Sequence, residues 1–507
     1  MAKYKRYDYS QNVLIPVSYH EQLMPGTLEF AIHTLVDSRM DLSIFEDRYN
    51  NDETGRRAYD PKVLLKVVLF GYSRGLISSR RIEQACRENV VFMALSCGQQ
   101  PDHSTIAAFV SSMKDEILFL FRDVLVVCEQ EGLLGGTTFA LDGCKLSSNA
   151  SRKWTGTISE IRKKKERIEK RVKKLLDQQL DTDQKDEGED GRSSSILKRE
   201  KQIERLQNKA ERIEQWLKET GPKIGKRGLE IKSNVTDNES ATLVSVHGTI
   251  QGYNSQALVD SKKQVIIHGE AFGEDDFHLV DPMLEGAKSN MAAVGCEEDY
   301  FEGKTLTADS NYHSPNSLKK CNQEKLDAYI PDKRYRSRDP KFKDNRRKRY
   351  KRVDRFRLED FNHIETTDEY RCPNGKILKL KVKQTVKDGV IYRLYAANKA
   401  DCKDCELKIK CLRRKTAKRK IISVPIGSVP GNLTKAMQEK IDSDQGKKIY
   451  SQRIAIVEPV FANIRTHKQM NRLTLRGKNK VNVQWLLYCM IHNMGKILRY
   501  GLNYGFT

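Results

Sequence analysis

The stretch TTFALDGCK, Thr137 to Lys145, is a short apolar run of strand character that reaches a carboxylate, Asp142, with Gly143 directly behind it. This pattern puts an acid at the tip of a strand. Two distant stretches read as its partners. KTLTADSNYHS places Asp309 at the end of a second apolar run, and YSQRIAIVEPVFANIR places Glu458 in a segment of helical spacing. Between Asp142 and Asp309, the segments ATLVSVHGTI, YNSQALVD and VIIHGEAF have strand signals, with a polar break at SKKQ. Together with the Asp142 strand and LTAD they form the nucleus of a mixed sheet, so the fold class is α/β. Three carboxylates that converge from such distances indicate a metal site, because magnesium and similar hard cations take oxygen ligands.

The sheet residues are interrupted by a segment of different texture, Thr157 to Lys223, rich in Lys, Glu, Arg and Gln. Ile158, Ile161, Ile168, Val172 and Leu175 recur at helical spacing, as do Ile196, Ile203, Leu206, Ile213 and Leu217. The acidic DTDQKDEGEDGRSSS separates the two runs. The pattern predicts a helical hairpin acting as a spacer or dimerisation arm. Such an insertion between sheet elements costs little if its ends are close.

Before Thr137 the apolar spacing is mainly helical, from about Ile15 to Met113. Ser78 or Ser79 is placed to cap a helix presenting Arg80, Arg81 and Arg87, and Asp102 or Ser104 to cap the next. Compact helices with arginines near their N-termini resemble a helix-turn-helix DNA reader.

Charge points to the partner. Lys and Arg number 91 against 68 Asp and Glu, for a formal net charge of +23, an excess that favours a polyanion such as nucleic acid. The run Lys333 to Arg352, KRYRSRDPKFKDNRRKRYKR, carries twelve Lys or Arg with Tyr335, Phe342 and Tyr350 interleaved, a composition suited to phosphate contact and base stacking. No stretch approaches the roughly 18 apolar residues of a membrane span, and no signal core follows the N-terminus. A cytoplasmic protein is expected, with its 11 cysteines as thiols or metal ligands. Cys372 in EYRCPNGK and Cys402, Cys405 and Cys411 in DCKDCELKIKC have spacing suited to one structural zinc. The other cysteines read as packing. In the last segment Ile454, Val457, Phe461 and Ile464 make an apolar stripe, and VQWLLYCMIHNMGKIL reads as a buried closing helix. Pro459, directly after Glu458, is expected to kink or begin a helix there. These features together predict a magnesium-dependent enzyme acting on DNA phosphodiesters.

At these residues the chain resembles a bacterial insertion-sequence transposase of the DDE class. The resemblance runs through YDPKVLLKVVLFGY, SSRRIEQACRE, PDHSTIAAF, ALDGCKLSSNAS, GYNSQALVD, TADSNYHS, the cysteine cluster, VEPVFANIR and LRGKNKVNVQWLLYCMIHNMGKI. It implies an all-α N-terminal DNA-binding domain (1–132) and a ribonuclease-H-like catalytic domain (133–507). The latter would be interrupted by the helical hairpin (157–223) and by a basic, cysteine-cluster insertion (333–425). Asp142, Asp309 and Glu458 fall on the family's metal-binding acids, implying two Mg²⁺ or Mn²⁺ ions. Tyr450, Arg453 and Glu458 resemble part of its Tyr-Arg-Glu-Lys signature, but four residues rather than three separate Arg453 from Glu458. Arg465 stands where the lysine is expected, with Lys468 one turn later. Implied partners are terminal-repeat and target DNA, bound by a homodimer or higher oligomer in the bacterial cytoplasm at the nucleoid. Two rivals remain open at the level of sequence: a catalytically silent DNA-binding derivative, and a nuclease that cuts without joining.

Overall fold

A computed structural model of the chain describes residues 17–48, 57–183, 192–225, 228–245, 248–342, 355–387, 390–412, 414, 416–426 and 433–501. They fall into two compact units. One lies within Met1–Ala308, Glu324–Asp327 and Ser451–Thr507, the other within Asp309–Gln323 and Ala328–Tyr450.

The first unit is organised on β1 (Thr138–Ser147), β2 (Ala241–Ser245), β3 (Gly248–Asp260), β4 (Ile266–Phe272) and β5 (Thr305–Ala308). β1 is central: it pairs antiparallel with β3 and parallel with β5, giving the mixed sheet expected from sequence. Phe139, Ala140 and Leu141 are buried without alternation, as in a strand covered on both faces. The long β3 changes partner along its length, pairing with β2 through residues 248–252 and with β4 through 254–259. The polar break SKKQ forms the turn between β3 and β4, where Gln264 adopts φ +60°.

The closing helix, Lys478–Tyr500, is buried along most of its length and lies against β4. Asn482 Oδ1 accepts from Ala271 N at 2.7 Å, and Asn493 both accepts from Ile266 N and donates to Ile266 O. These amides satisfy backbone groups of β4 that its pairing with β3 leaves open. Trp485 Nε1 donates to Gln256 O at 2.9 Å. The approach is close enough that a Cβ on Gly269 would stand 2.8 Å from Cys489 Sγ, so any side chain there would push the closing helix's Cys489 aside.

Among the described residues six α-helices precede β1: α1 (Leu28–Ser38), α2 (Pro61–Ser73), α3 (Ser79–Glu88), α4 (Val90–Leu95), α5 (His103–Ser112) and α6 (Ile117–Gln130). Asp60 caps α2 with Pro61 in its first turn, and Asp102 caps α5 by accepting from Ser104 N and Thr105 N. α2 is buried all round from Val63 to Ser73, which a helix meets only inside a core. Its Tyr72 stacks on Tyr488 of the closing helix with ring centroids 5.3 Å apart, and α1, α5 and α6 also pack on that helix. The N-terminal helices thus share a core with the last helix of the same unit.

The predicted hairpin is present as α7 (Ile158–Asp183) and α8 (Arg192–Glu219). Ile161 and Ile213 pack with Val235 at its base, and Val172, Leu175 and Ile203 pack farther out. Its two ends are tied by a two-residue ladder, Thr155 to Asn234 and Gly156 to Ser233, so the insertion leaves and returns at one place.

The second unit contains an antiparallel meander of Asn362–Ile364, Glu369–Arg371, Ile377–Lys387, Val390–Ala397 and Ile421–Pro425. Its core is small: Phe361, Tyr370, Leu378, Tyr395, Ala397 and Ile422. A separate cluster joins Tyr329, Tyr335 and Ile441. Among the described residues no helix is long and apolar enough to cross a membrane.

Candidate active site

Asp142 stands on β1 opposite Ala257 of β3. In the pairing with β5, Leu141 lies against Ala308, so Asp142 and Asp309 are the residues that directly follow a paired couple on two parallel strands. The Asp142 carboxylate is 24% exposed. Its Oδ1 accepts from Gly143 N at 2.8 Å and its Oδ2 from Arg453 Nη1 at 2.6 Å. Behind it Gly143 leaves room for two buried amides, since a Cβ there would meet Gln256 Nε2 at 2.0 Å and Asn254 Oδ1 at 2.9 Å. Both amides donate to Asp276 Oδ1, at 2.7 Å from Asn254 and 3.0 Å from Gln256. This polar support was not assigned from sequence. Its signal is two polar residues two apart within an otherwise buried strand, where each needs a buried partner.

Arg453 and Glu458 belong to the helix Asp444–Ala462, which continues through Pro459. The helix therefore does not begin at the proline. Pro459 has no amide to donate to Ala455 O four residues back. Gln264 Nε2 donates to that carbonyl instead, at 2.9 Å. Gln264 is itself held from behind, because Lys496 Nζ donates to its Oε1 and His492 Nε2 stands 2.9 Å from its backbone oxygen. Glu458 is exposed on this helix.

A π-helical turn, Asn463–His467, follows. Arg465 is exposed there and lines an open groove of about 490 Å³ with Phe461, Thr466, Gln469 and Asn471. Arg465 lies near enough to β1 to act on Cys144, whose thiol burial raises to about 12, with Arg465 opposing and Asp142 reinforcing the shift. Lys468, by contrast, is buried, at 8% exposure. Burial, reinforced by Arg74, lowers its ammonium to about 8.

The remaining expected residues lie in several places. Asp309 is half-buried and accepts from Asn311 N at 2.7 Å. Tyr450 packs edge-on against Tyr335, with centroids 5.5 Å apart. Arg80 and Arg81 are exposed in the first turn of α3, whereas Arg87 is paired with Glu83. Glu83 also meets His103 Nδ1 at 2.8 Å, joining α3 to α5. The basic run lies outside the described residues from 343 to 352. Cys372, Cys402, Cys405 and Cys411 line one small cavity in the second unit. Of the cysteines read as packing, Cys97 is exposed. Among the described residues no three His, Cys, Asp or Glu side chains stand as a ready-formed metal cluster.

Two family models match the chain. One, a transposase DDE domain, matches residues 371–498 and so contains the cysteine cluster, Arg453, Glu458 and Arg465. The other, a transposase domain of the DUF772 type, matches residues 17–112 and contains Arg80 and Arg81. Asp142 and Asp309 lie between the two matches. No curated protein matches the chain. Transposase models thus match a stretch in each half of the chain, in the order the motifs follow, which supports an insertion-sequence transposase of the DDE class.

Proposed function

We propose that the chain binds the ends of its element, cleaves a DNA phosphodiester there and joins the freed 3′ hydroxyl to target DNA, with Asp142, Asp309 and Glu458 as the catalytic acids. The observation that carries this reading is the 2.6 Å contact between Arg453 and Asp142, which brings the helix bearing Glu458 to the central strand bearing Asp142. Three carboxylates supply the hard oxygen donors that Mg²⁺ or Mn²⁺ prefers, and Asp142 is open enough to be reached. When bound, such ions would activate the attacking oxygen and stabilise the leaving one.

The chain's own residues have the complementary tasks. Arg453 orients the Asp142 carboxylate, and its guanidinium would share its charge with a phosphate oxygen of bound DNA. Arg465, exposed in its groove, neutralises a second phosphate position. Lys468 serves from behind as a packed residue unless the π turn opens. Arg80 and Arg81 contact the DNA backbone from α3. Hydrolysis exchanges the bridging P–O bond for one to water's oxygen and leaves a 3′ hydroxyl. That hydroxyl then displaces a 3′ oxygen in the target, so neither step needs a covalent protein intermediate.

Joining is the step that separates this reading from a nuclease. A duplex carrying the element's end, already cut to expose its 3′ hydroxyl, is incubated with plasmid target and Mg²⁺. The reading expects covalent joining by the wild-type chain; cleavage of uncut ends without any joining of pre-cut ones would leave a nuclease.

A further inference from the structure

The cysteine cluster stands far from the acids in sequence and takes no part in the proposed chemistry. Cys372, Cys402, Cys405 and Cys411 come from two separate stretches of chain, yet all line the same cavity. That cavity measures about 20 Å³, room for a single small occupant and no more. Two sulfurs already receive hydrogen bonds: Lys376 N donates to Cys372 Sγ at 3.3 Å and Asn374 Nδ2 to Cys405 Sγ at 3.4 Å. The turn Cys372–Lys376 that aims the first amide is closed by Cys372 N to Lys376 O and Gly375 N to Cys372 O, each 2.8 Å, with Gly375 at φ +73°. Amide donors directed at sulfur stabilise thiolate rather than thiol and are the usual outer support of a metal-bound cysteine. Lys376 and Lys420 also line the cavity, supplying positive charge where four thiolates around one dication would leave a net negative one.

The fold gives this cluster a task. Cys372, Cys402 and Cys411 pack against the meander's small buried core, a core of the kind that small modules commonly reinforce with a metal or disulfides.

We infer that these four cysteines bind one structural Zn²⁺ that staples the meander of the second unit, a site separate from the catalytic acids. The four cysteines line one cavity, and a tetrahedral ion takes four sulfurs. Hard cations such as Mg²⁺ are excluded by the all-sulfur donor set.

The test is metal analysis of the full chain purified without a histidine tag, read together with reaction of its thiols with a disulfide reagent. The expected result is about one zinc per chain in the wild type and in both Cys97→Ser and Asp142→Ala. Four thiols should become reactive only after a chelator is added. Cys405→Ser should lose most of the zinc, whereas Cys405→His, which restores a zinc-competent ligand, should keep it. Cobalt in place of zinc should give the visible bands of a tetrahedral thiolate site. Wild-type chain that holds no zinc, or that takes up none when zinc is supplied during refolding, would overturn the inference without any variant. Full zinc content in both Cys402→Ser and Cys405→Ser would overturn it equally. Because the readout is metal content, failure here leaves the cleavage reading untouched.

Discussion

Arg453 Nη1 donates to Asp142 Oδ2 at 2.6 Å, joining residues 311 apart in the chain. Arg453 is 13% exposed and Asp142 24%, so the pair is partly shielded and stronger than a surface ion pair. Removing the guanidinium takes away the hydrogen bond that orients Asp142 and, on the proposed reading, a charge offered to bound phosphate. Arg453→Ala should lower metal-dependent cleavage by about 10²-fold, the scale of one lost transition-state donor. Arg453→Lys should retain more activity because it keeps the charge. Initial cleavage rates across a Mn²⁺ titration check this, with end binding followed separately by gel shift.

Gln264 replaces the hydrogen bond that Pro459 cannot make. Gln264→Ala should destabilise the chain by about 1 kcal/mol, the usual net worth of such a bond. In a Pro459→Ala background the helix can supply its own amide to Ala455, so the same Gln264→Ala change should cost less. A double-mutant cycle by urea denaturation measures the coupling, which is expected to be clearly non-zero.

This pair also marks where sequence reasoning stops. The rules for proline inside a helix are local, and they indicate a kink or a start at residue 459. The donor that lets the helix continue comes from a turn almost two hundred residues earlier, at a glutamine in positive-φ backbone. No periodicity reports such a contact. β1, the β3–β4 pair and the hairpin were legible because their apolar spacing is set by the elements themselves. Ile161, Val172, Leu175, Ile203 and Ile213, all in the predicted stripes, are buried. The packing of α1, α2 and α6 on the closing helix was not legible, since it depends on a partner more than three hundred residues downstream. In the candidate site, Asp309 directly follows its strand and Glu458 lies in a helix as the spacing suggested, whereas Asp142, expected at a strand tip, stands inside β1, which runs on to Ser147 because β3 pairs along its whole length. Gln256, Asn254 and Asp276 gain meaning only when Gly143 lets them approach.

Lys468 gives a pH-dependent prediction. Its folded-state value of about 8 lies below that of an ordinary lysine. Below about pH 8 both folded and unfolded chains hold the proton, and the cost of burying the ammonium is fully present. From about pH 8 to 10 the folded chain has released it while the unfolded chain has not, so this group's contribution to stability rises with pH. Lys468→Met removes the cost. It should therefore raise Tm relative to wild type at about pH 7, with the difference shrinking toward about pH 10. Calorimetric scans at several pH values measure it.

Arg80 and Arg81 project from the first turn of α3 into solvent. The double change to Ala should weaken binding to duplex DNA for specific and unrelated sequences alike. If each arginine contacts one phosphate, the slope of log affinity against log salt should become shallower by about 2. Fluorescence anisotropy across a salt series reads both quantities.

The account's central claim is that Asp142 is a catalytic metal-binding acid and not the structural partner of an arginine. The most direct test is cleavage of a labelled duplex bearing the element's flanking end with Mg²⁺ or Mn²⁺, wild type beside Asp142→Ala, each also assayed for end binding and thermal stability. The account predicts metal-dependent release of a 3′ hydroxyl by the wild type and its loss in Asp142→Ala, with end binding retained and the variant, though lowered in Tm by the loss of the Arg453 pair, still folded at the assay temperature. Cleavage by Asp142→Ala at the wild-type rate would contradict it.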